Sequence, residues 1–356
     1  MWNNMKVVHI ESGLGNQMLS YCEYLALKKM NPTDECYIEL MVYSIPECNE
    51  TICQWNGYEL NRIFGIDAPN IKDKLSIEEW NIVLDKVRES KFWSKDWNFP
   101  KYITESLNTT GLNLKNIRGD FESDEFDKGK SRGALNKLRY EFFNSTRLGV
   151  SIKRAIYKAY AEKYIKRADN QKNIFIATDE NILTGQWLTF RYKSNGIEKI
   201  RDEIEQAFQF PQFTDSKNKE FAEFIDSHNT VFIHARRGDM LSANGWCYKF
   251  GYFRDAVNYI KKRVKNPVFV FFTNTESVEW CKNNSDIFAL NYKKDKVFFV
   301  DWNKGIDSFR DMQLMAHCKH GIITDSSFGW WGTYFIKNPD KITISPSVLL
   351  NTTHTI

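Results

Sequence analysis

Two rhythms run along the 356-residue chain. Short apolar runs of strand length alternate with segments whose apolar residues recur every three or four positions. The first run is Lys6-Val7-Val8-His9-Ile10. A glycine-containing turn from Glu11 to Gln17 follows, and Met18, Leu19, Tyr21, Cys22, Leu25, Ala26 and Leu27 then keep helical spacing to about Lys29. Strand, glycine loop and helix form the opening unit of an α/β domain. Residues 70–170 are less regular and rich in charge. Within them Ile152 to Arg167 reads as an amphipathic basic helix, and Ile197 to Phe208 is a further helix. From about residue 214 the alternation is regular. Expected helices Asn218–Ser227, Tyr252–Val264, Val278–Asn283, Ser308–Cys318 and Ser327–Ile336 interleave with expected strands 230–234, Val268–Thr273, Val297–Val300, Gly321–Thr324 and Ile342–Ile344. That order predicts a parallel sheet covered on both faces. A boundary near Pro211 to Ser216 divides the chain into expected domains 1–213 and 214–356.

Composition narrows the class. A chain this long exceeds the size at which one hydrophobic core stops growing, so two domains are expected. The hydrophobic share of 42% and charged share of 26% are those of a globular protein in water. A net charge of +4 is too small to argue for nucleic acid. Aromatics at 15% suit a sugar-binding cleft and a large core equally. The seven cysteines (Cys22, Cys36, Cys48, Cys53, Cys247, Cys281, Cys318) are odd in number and show no metal-ligand spacing. They read as reduced, mostly buried thiols of a cytoplasmic protein. The run Met1 to Lys6 leads straight into a strand and reads as no signal peptide, and no stretch of about 18 apolar residues is present. The basic stretch Lys153 to Lys166 is compatible with peripheral contact to the inner face of an anionic membrane, or with a plain solvated surface.

Three segments carry candidate chemistry. Val231-Phe232-Ile233 drives a strand into a core, and His234, Arg236, Arg237 and Asp239 follow within six positions. A parallel strand delivers such residues to the ligand crevice at its C-terminal end, and guanidinium matches diphosphate oxygens bidentately. The competing reading is a solvated loop with a structural Arg–Asp pair. Gly13-Leu14-Gly15-Asn16-Gln17 offers a tight turn, a helix N-terminus and amide donors, but lacks the third glycine of the dinucleotide fingerprint. Asp325-Ser326-Ser327-Phe328 ends a strand and opens a helix, where hydroxyls and N–H groups cap the helix or hold a phosphate. Asp311 lies at the start of another helix, where a carboxylate is favoured by the dipole and is also suited to guanine N1–H and N2–H. No Asp-x-Asp occurs and the histidines are not paired at i, i+4, so a site without metal is expected, with fixed cations in place of a divalent ion.

Together these segments resemble the α-1,2-fucosyltransferases of glycosyltransferase family 11. Gly13-Leu14-Gly15-Asn16-Gln17-Met18, His234-Ala235-Arg236-Arg237-Gly238-Asp239 and Ser326-Ser327-Phe328-Gly329-Trp330-Trp331-Gly332 are similar to three blocks of that family, and Gly57-Tyr58-Glu59-Leu60 to a weaker one. The resemblance implies a GT-B-like α/β fold, two Rossmann-like domains facing across a cleft. It implies inverting, metal-independent transfer of L-fucose from GDP-β-L-fucose to the 2-hydroxyl of a galactose-containing acceptor glycan. Arg236 would act on the β-phosphate with Asp239 and His234 ordering the same catalytic turn, while Gly13, Gly15, Asn16, Gln17, Arg237, Ser326, Ser327 and Phe328 would bind the donor and Asp311 would read guanine. The catalytic base is left unassigned. Asp325 stands where the family commonly has Asn, Gly329 where it has Ser, and Thr273-Asn274-Thr275 where it has Ser-Asp-Asp. A fucosyltransferase of another linkage and a non-catalytic GDP-sugar or glycan-binding protein are the alternatives.

Overall fold

The computed structural model describes residues 4–49, 56–95, 99–117, 134–169, 177–185 and 188–356. The chain separates into two compact units: Met1–Arg132 with Ile165–Phe210, and Gly133–Tyr164 with Pro211–Ile356. The division thus falls three residues before the expected one, between Phe210 and Pro211. Residues 133–164, expected in the N-terminal domain, cluster with the second unit.

The first unit is built on a wholly parallel sheet in the order β2-β1-β4-β3. Its strands are β1 (Met5–His9), β2 (Glu35–Glu39), β3 (Lys115–Asn116) and β4 (Ile182–Gly185). Helix α1 (Leu14–Met30) packs on the sheet through buried Met18, Leu19 and Cys22. Val7 and Leu183 join a cluster on α2 (Ile77–Ser90) and α3 (Phe99–Leu107) that includes Val83, Val87, Ile103 and Leu107. Lys6 lies inside this unit and keeps its charge paired. Its Nζ sits 2.8 Å from Asp34 and donates to the carbonyls of Thr178 and Glu180. A buried ammonium without those partners would be strongly destabilising.

The second unit carries six parallel strands in the order β10-β9-β8-β5-β6-β7. They are β5 (Thr230–Ala235), β6 (Val268–Thr273), β7 (Lys296–Val300), β8 (His320–Ile323), β9 (Thr343–Ser345) and β10 (His354–Thr355). Every residue of β5 is buried. Ile233, Phe269, Phe271, Ile322 and Ile344 share a core with Tyr252, Phe253, Val257 and Ile260. On the other face Phe232 fills space that Gly321 and Gly332 leave open; a Cβ at Gly321 would stand 2.6 Å from its ring.

The helices of this unit include α4 (Ala134–Ser145), α5 (Arg147–Ala159), α6 (Ser216–Asp226), α7 (Leu241–Lys249), α8 (Tyr252–Lys261), α9 (Phe309–His317) and α10 (Ser327–Phe335). The expected basic helix Ile152–Arg167 is two helices, α5 and Ala161–Asp169, broken at Tyr160. Helix α7 was not legible because its apolar residues show little sidedness. The cysteines among the described residues are unpaired, and all of them except half-buried Cys36 are buried.

Candidate active site

In each unit the first strand is a switch point. In the second unit the chain leaves β5 toward β6 and β7 on one side, then returns to add β8, β9 and β10 on the other. The loops after β5 and β8 therefore diverge and leave a crevice at the C-terminal ends of those strands, the usual ligand position in open parallel sheets. The polar residues of the two C-terminal motifs stand there. Thr273 Oγ1 donates to Ala235 O at 2.6 Å and Thr324 N to His234 O at 3.4 Å, so both neighbours tie down the end of β5.

His234 is fully enclosed. Burial and the nearby Arg236 charge push its pKa down to about 3, so the imidazole is neutral. Its ring centroid is 5.8 Å from that of Phe328, and a Cβ at Gly329 would stand 2.3 Å from Nδ1. The absence of a side chain at 329 is therefore what admits the ring. Ser326 is the N-cap of α10 but makes no side-chain capping bond, and Ser327 opens the helix. Among the described residues His234 Nδ1, Thr324 Oγ1 and Trp330 Nε1 are buried polar atoms without a hydrogen-bond partner. Such atoms are rare in folded proteins and mark places where a ligand or solvent completes the network.

The two arginines have different fates. Arg237 lies with its guanidinium 3.4 Å from the centroid of Trp280 and 5.0 Å from that of Tyr248, and its N–H donates to Asn274 Oδ1. An arginine stacked on two aromatic faces holds the turn in place. Half-buried Arg236 directly follows the last residue of β5, at the C-terminal end of the sheet. Tyr248 also donates from its hydroxyl to Arg236 O at 2.9 Å. Gly238 follows in the left-handed region at φ +52°, with Asn274 and Glu276 beside it. Asp239 falls in the short turn Gly238–Met240, and its side chain lies outside the described residues.

Asp311 sits in the first turn of α9 and accepts from Asn303 Nδ2 at 2.8 Å. Burial pushes this carboxyl up to about 8, against the opposing pull of that hydrogen bond. Asn303 is itself held by Asn218, which also takes the Trp302 indole N–H.

The glycine loop of the first unit differs from its expected design. The left-handed residue is Ser12, at φ +63°. Gly13 is extended and Gly15 lies within α1. Gln17, expected on the donor, is wholly buried. It donates to Ser12 O and Gly57 O and accepts from Glu59 N, each at 2.8 Å, so its amide clamps the 57–59 segment to the loop. Asn16 is half-buried in the first turn of α1. Beneath the loop, His9 Nδ1 bonds to Glu39 and its Nε2 lies 3.6 Å from Glu11. Burial lowers the His9 pKa, but the two carboxylates outweigh it and raise it to about 9.

Asn244, Tyr248 and Trp280 were missed by sequence reasoning. Asn244 binds the backbone of Asp325 through both ends of its amide at 3.2 Å, and no local pattern marks it. Thr273-Asn274-Thr275 did carry a signal, since it follows an apolar strand of the sheet directly.

Residues 199–354 match the model of glycosyl transferase family 11. An alpha-1,2-colitosyltransferase of Escherichia coli is 35% identical over 350 residues, covering 96% of this chain and 91% of that protein. Galactoside alpha-(1,2)-fucosyltransferase 1 of Saimiri sciureus is 33% identical over 109 residues, 29% of this chain and 28% of that one. A crystal structure of NodZ alpha-1,6-fucosyltransferase with GDP aligns over 97% of this chain and 96% of its own, at 13% identity and a TM-score of 0.47. The family and the whole-length relative make this protein a glycosyltransferase of the fucosyltransferase type. The chain belongs to glycosyl transferase family 11.

The His9 cluster has a pH signature. Its charged form is favoured in the folded chain, so the stabilisation is complete below the unfolded value of about 6.5 and is lost as pH rises through about 9. Melting temperature is expected to fall between those values, and Glu39→Gln should flatten that slope. A wild-type curve with no decline there would contradict the assignment.

Proposed function

We propose that the protein transfers L-fucose from GDP-β-L-fucose to the 2-hydroxyl of a terminal β-galactoside, with inversion and without a metal ion. The observation that carries this reading is the placement of Arg236 and the start of α10 at the switch point between β5 and β8. As the bond from sugar C1 to the diphosphate breaks, the sugar gains oxocarbenium character and negative charge grows on the leaving GDP. A fixed guanidinium and helix N–H groups aimed at that charge bind the transition state more tightly than the ground state. These are the cationic groups that a divalent ion would otherwise supply. Ser326, Ser327 and the unpartnered Thr324 hydroxyl offer donors to phosphate oxygens. Neutral His234 supports the turn without adding charge, and Arg237 positions it from behind.

A second reading differs only in the donor sugar. Identity of 35% over nearly the whole chain to an alpha-1,2-colitosyltransferase favours a donor lacking the 3-hydroxyl of L-fucose. Comparing kcat/KM for GDP-fucose and GDP-colitose decides between them.

The direct test is GDP release from GDP-fucose in EDTA, with and without lactose, followed by NMR of the product linkage. Acceptor-dependent release that persists in EDTA is expected. Arg236→Ala should lower the rate by about 10²–10³ while leaving the melting temperature near wild type. A folded variant with near wild-type turnover would refute the role of Arg236.

Asp311 makes the donor affinity pH-dependent. Only the ionised carboxylate accepts both guanine N–H groups, and its pKa of about 8 leaves it mostly protonated at neutral pH. GDP binding then releases a proton, so affinity rises with pH by about tenfold per unit below pH 8 and levels off above it. Calorimetry in buffers of different ionisation enthalpy reads that proton directly. Asp311→Asn should remove the dependence, and a pH-independent wild-type affinity would remove Asp311 from the guanine site.

A further inference from the structure

The hairpin of α4 and α5 in the second unit carries an exposed surface apart from the residues described above. Leu148, Ile152, Ile156 and Tyr160 recur every four residues and line one stripe. They are 64%, 38%, 42% and 55% exposed. Leu135 and Leu138 on α4 are exposed as well. The hairpin does not need these side chains to close. Thr146 caps α5 by accepting from Gly149 N, and a Cβ at Gly149 would stand 2.0 Å from Phe142 O, so the helices meet closely there. Buried Val150 and the Arg154 guanidinium, 5.3 Å over the Trp246 ring, face inward.

The charge is concentrated in the same place. Helix α5 has no acidic residue. Residues 134–164 hold seven basic and two acidic side chains, net +5, so the rest of the chain is slightly negative against a total of +4. A solvated face would be polar throughout. A second copy of so basic a surface would be repelled, and nucleic acid would reward the charge but not the aliphatic stripe. An aliphatic stripe flanked by lysine and arginine matches the boundary between acyl chains and anionic headgroups. Among the described residues no helix is long and apolar enough to cross a membrane.

We propose that this hairpin docks the enzyme on an anionic lipid surface, with Leu148, Ile152 and Ile156 entering the acyl boundary and the surrounding basic side chains meeting the headgroup phosphates. The inference is independent of the donor sugar. Helix α5 has 13 residues and spans about 20 Å, enough for reversible attachment.

The test is flotation of the full chain with vesicles of phosphatidylcholine alone and of phosphatidylcholine with about one third phosphatidylglycerol, at about 0.1 M salt. At least about tenfold more protein should float with the anionic vesicles, and binding should collapse near 1 M salt. The triple variant Leu148→Ser, Ile152→Ser, Ile156→Ser and the double variant Lys158→Glu, Lys163→Glu should each lose about tenfold, while keeping the GDP-induced rise in melting temperature as evidence of folding. Equal flotation with both vesicle types, or wild-type flotation by both folded variants, would overturn the proposal. So would concentration-dependent dimerisation abolished by the triple variant, because it assigns the stripe to a second copy of the chain.

Discussion

The crevice between β5 and β8 depends on burying β5 on both faces, in the middle of a parallel sheet. All six of its residues are inside the unit, and its neighbours were added in opposite directions along the chain. A one-residue slip would move Phe232 out of the space left by Gly321 and Gly332 and Ile233 out of its own core, so the first polar residues after the strand are delivered to one position. Thr273 and Thr324 reinforce that position from the two flanking strands. The chemistry proposed for Arg236 rests on this constraint, since an electrostatic contribution to catalysis requires the cation to be in place before charge develops.

The surrounding residues divide the remaining work between positioning and contact. Arg237, Tyr248, Trp280 and Asn274 form a backing that fixes the turn from the side away from the crevice. Neutral His234 fits because residue 329 is glycine. In the first unit the same economy appears at Gln17, whose amide joins two loops, and at His9, which lies between two carboxylates.

Much of the second unit was legible in the sequence because parallel strands buried on both faces are continuous apolar runs. Val268–Thr273 and the short helix Val278–Asn283 stand where the pattern put them. What the pattern does not encode is neighbour order. The switch point, the membership of residues 134–164 in the second unit, and the interlock of Asn244 with Asp325 all arise from contacts between residues far apart in the chain. Residue type also misleads where one type serves two roles. The sequence gives the two adjacent arginines different roles, but not the aromatic rings of Trp280 and Tyr248 on which Arg237 rests. A glutamine beside a glycine loop looks like a ligand donor, yet its amide is consumed by backbone groups. The left-handed turn at Ser12 was hidden because glycine, not serine, is the ordinary signal for that conformation.

The central claim is that the ends of β5 and β8 form a diphosphate site organised by Arg236 and the start of α10. A crystal structure of the full chain with GDP tests it most directly. The account predicts the β-phosphate within hydrogen-bond distance of the Arg236 guanidinium and the Ser326–Ser327 segment, with the guanine edge on Asp311 and Arg237 still stacked on Trp280. GDP bound elsewhere, or bound there with Arg236 turned away from the phosphates, would contradict it.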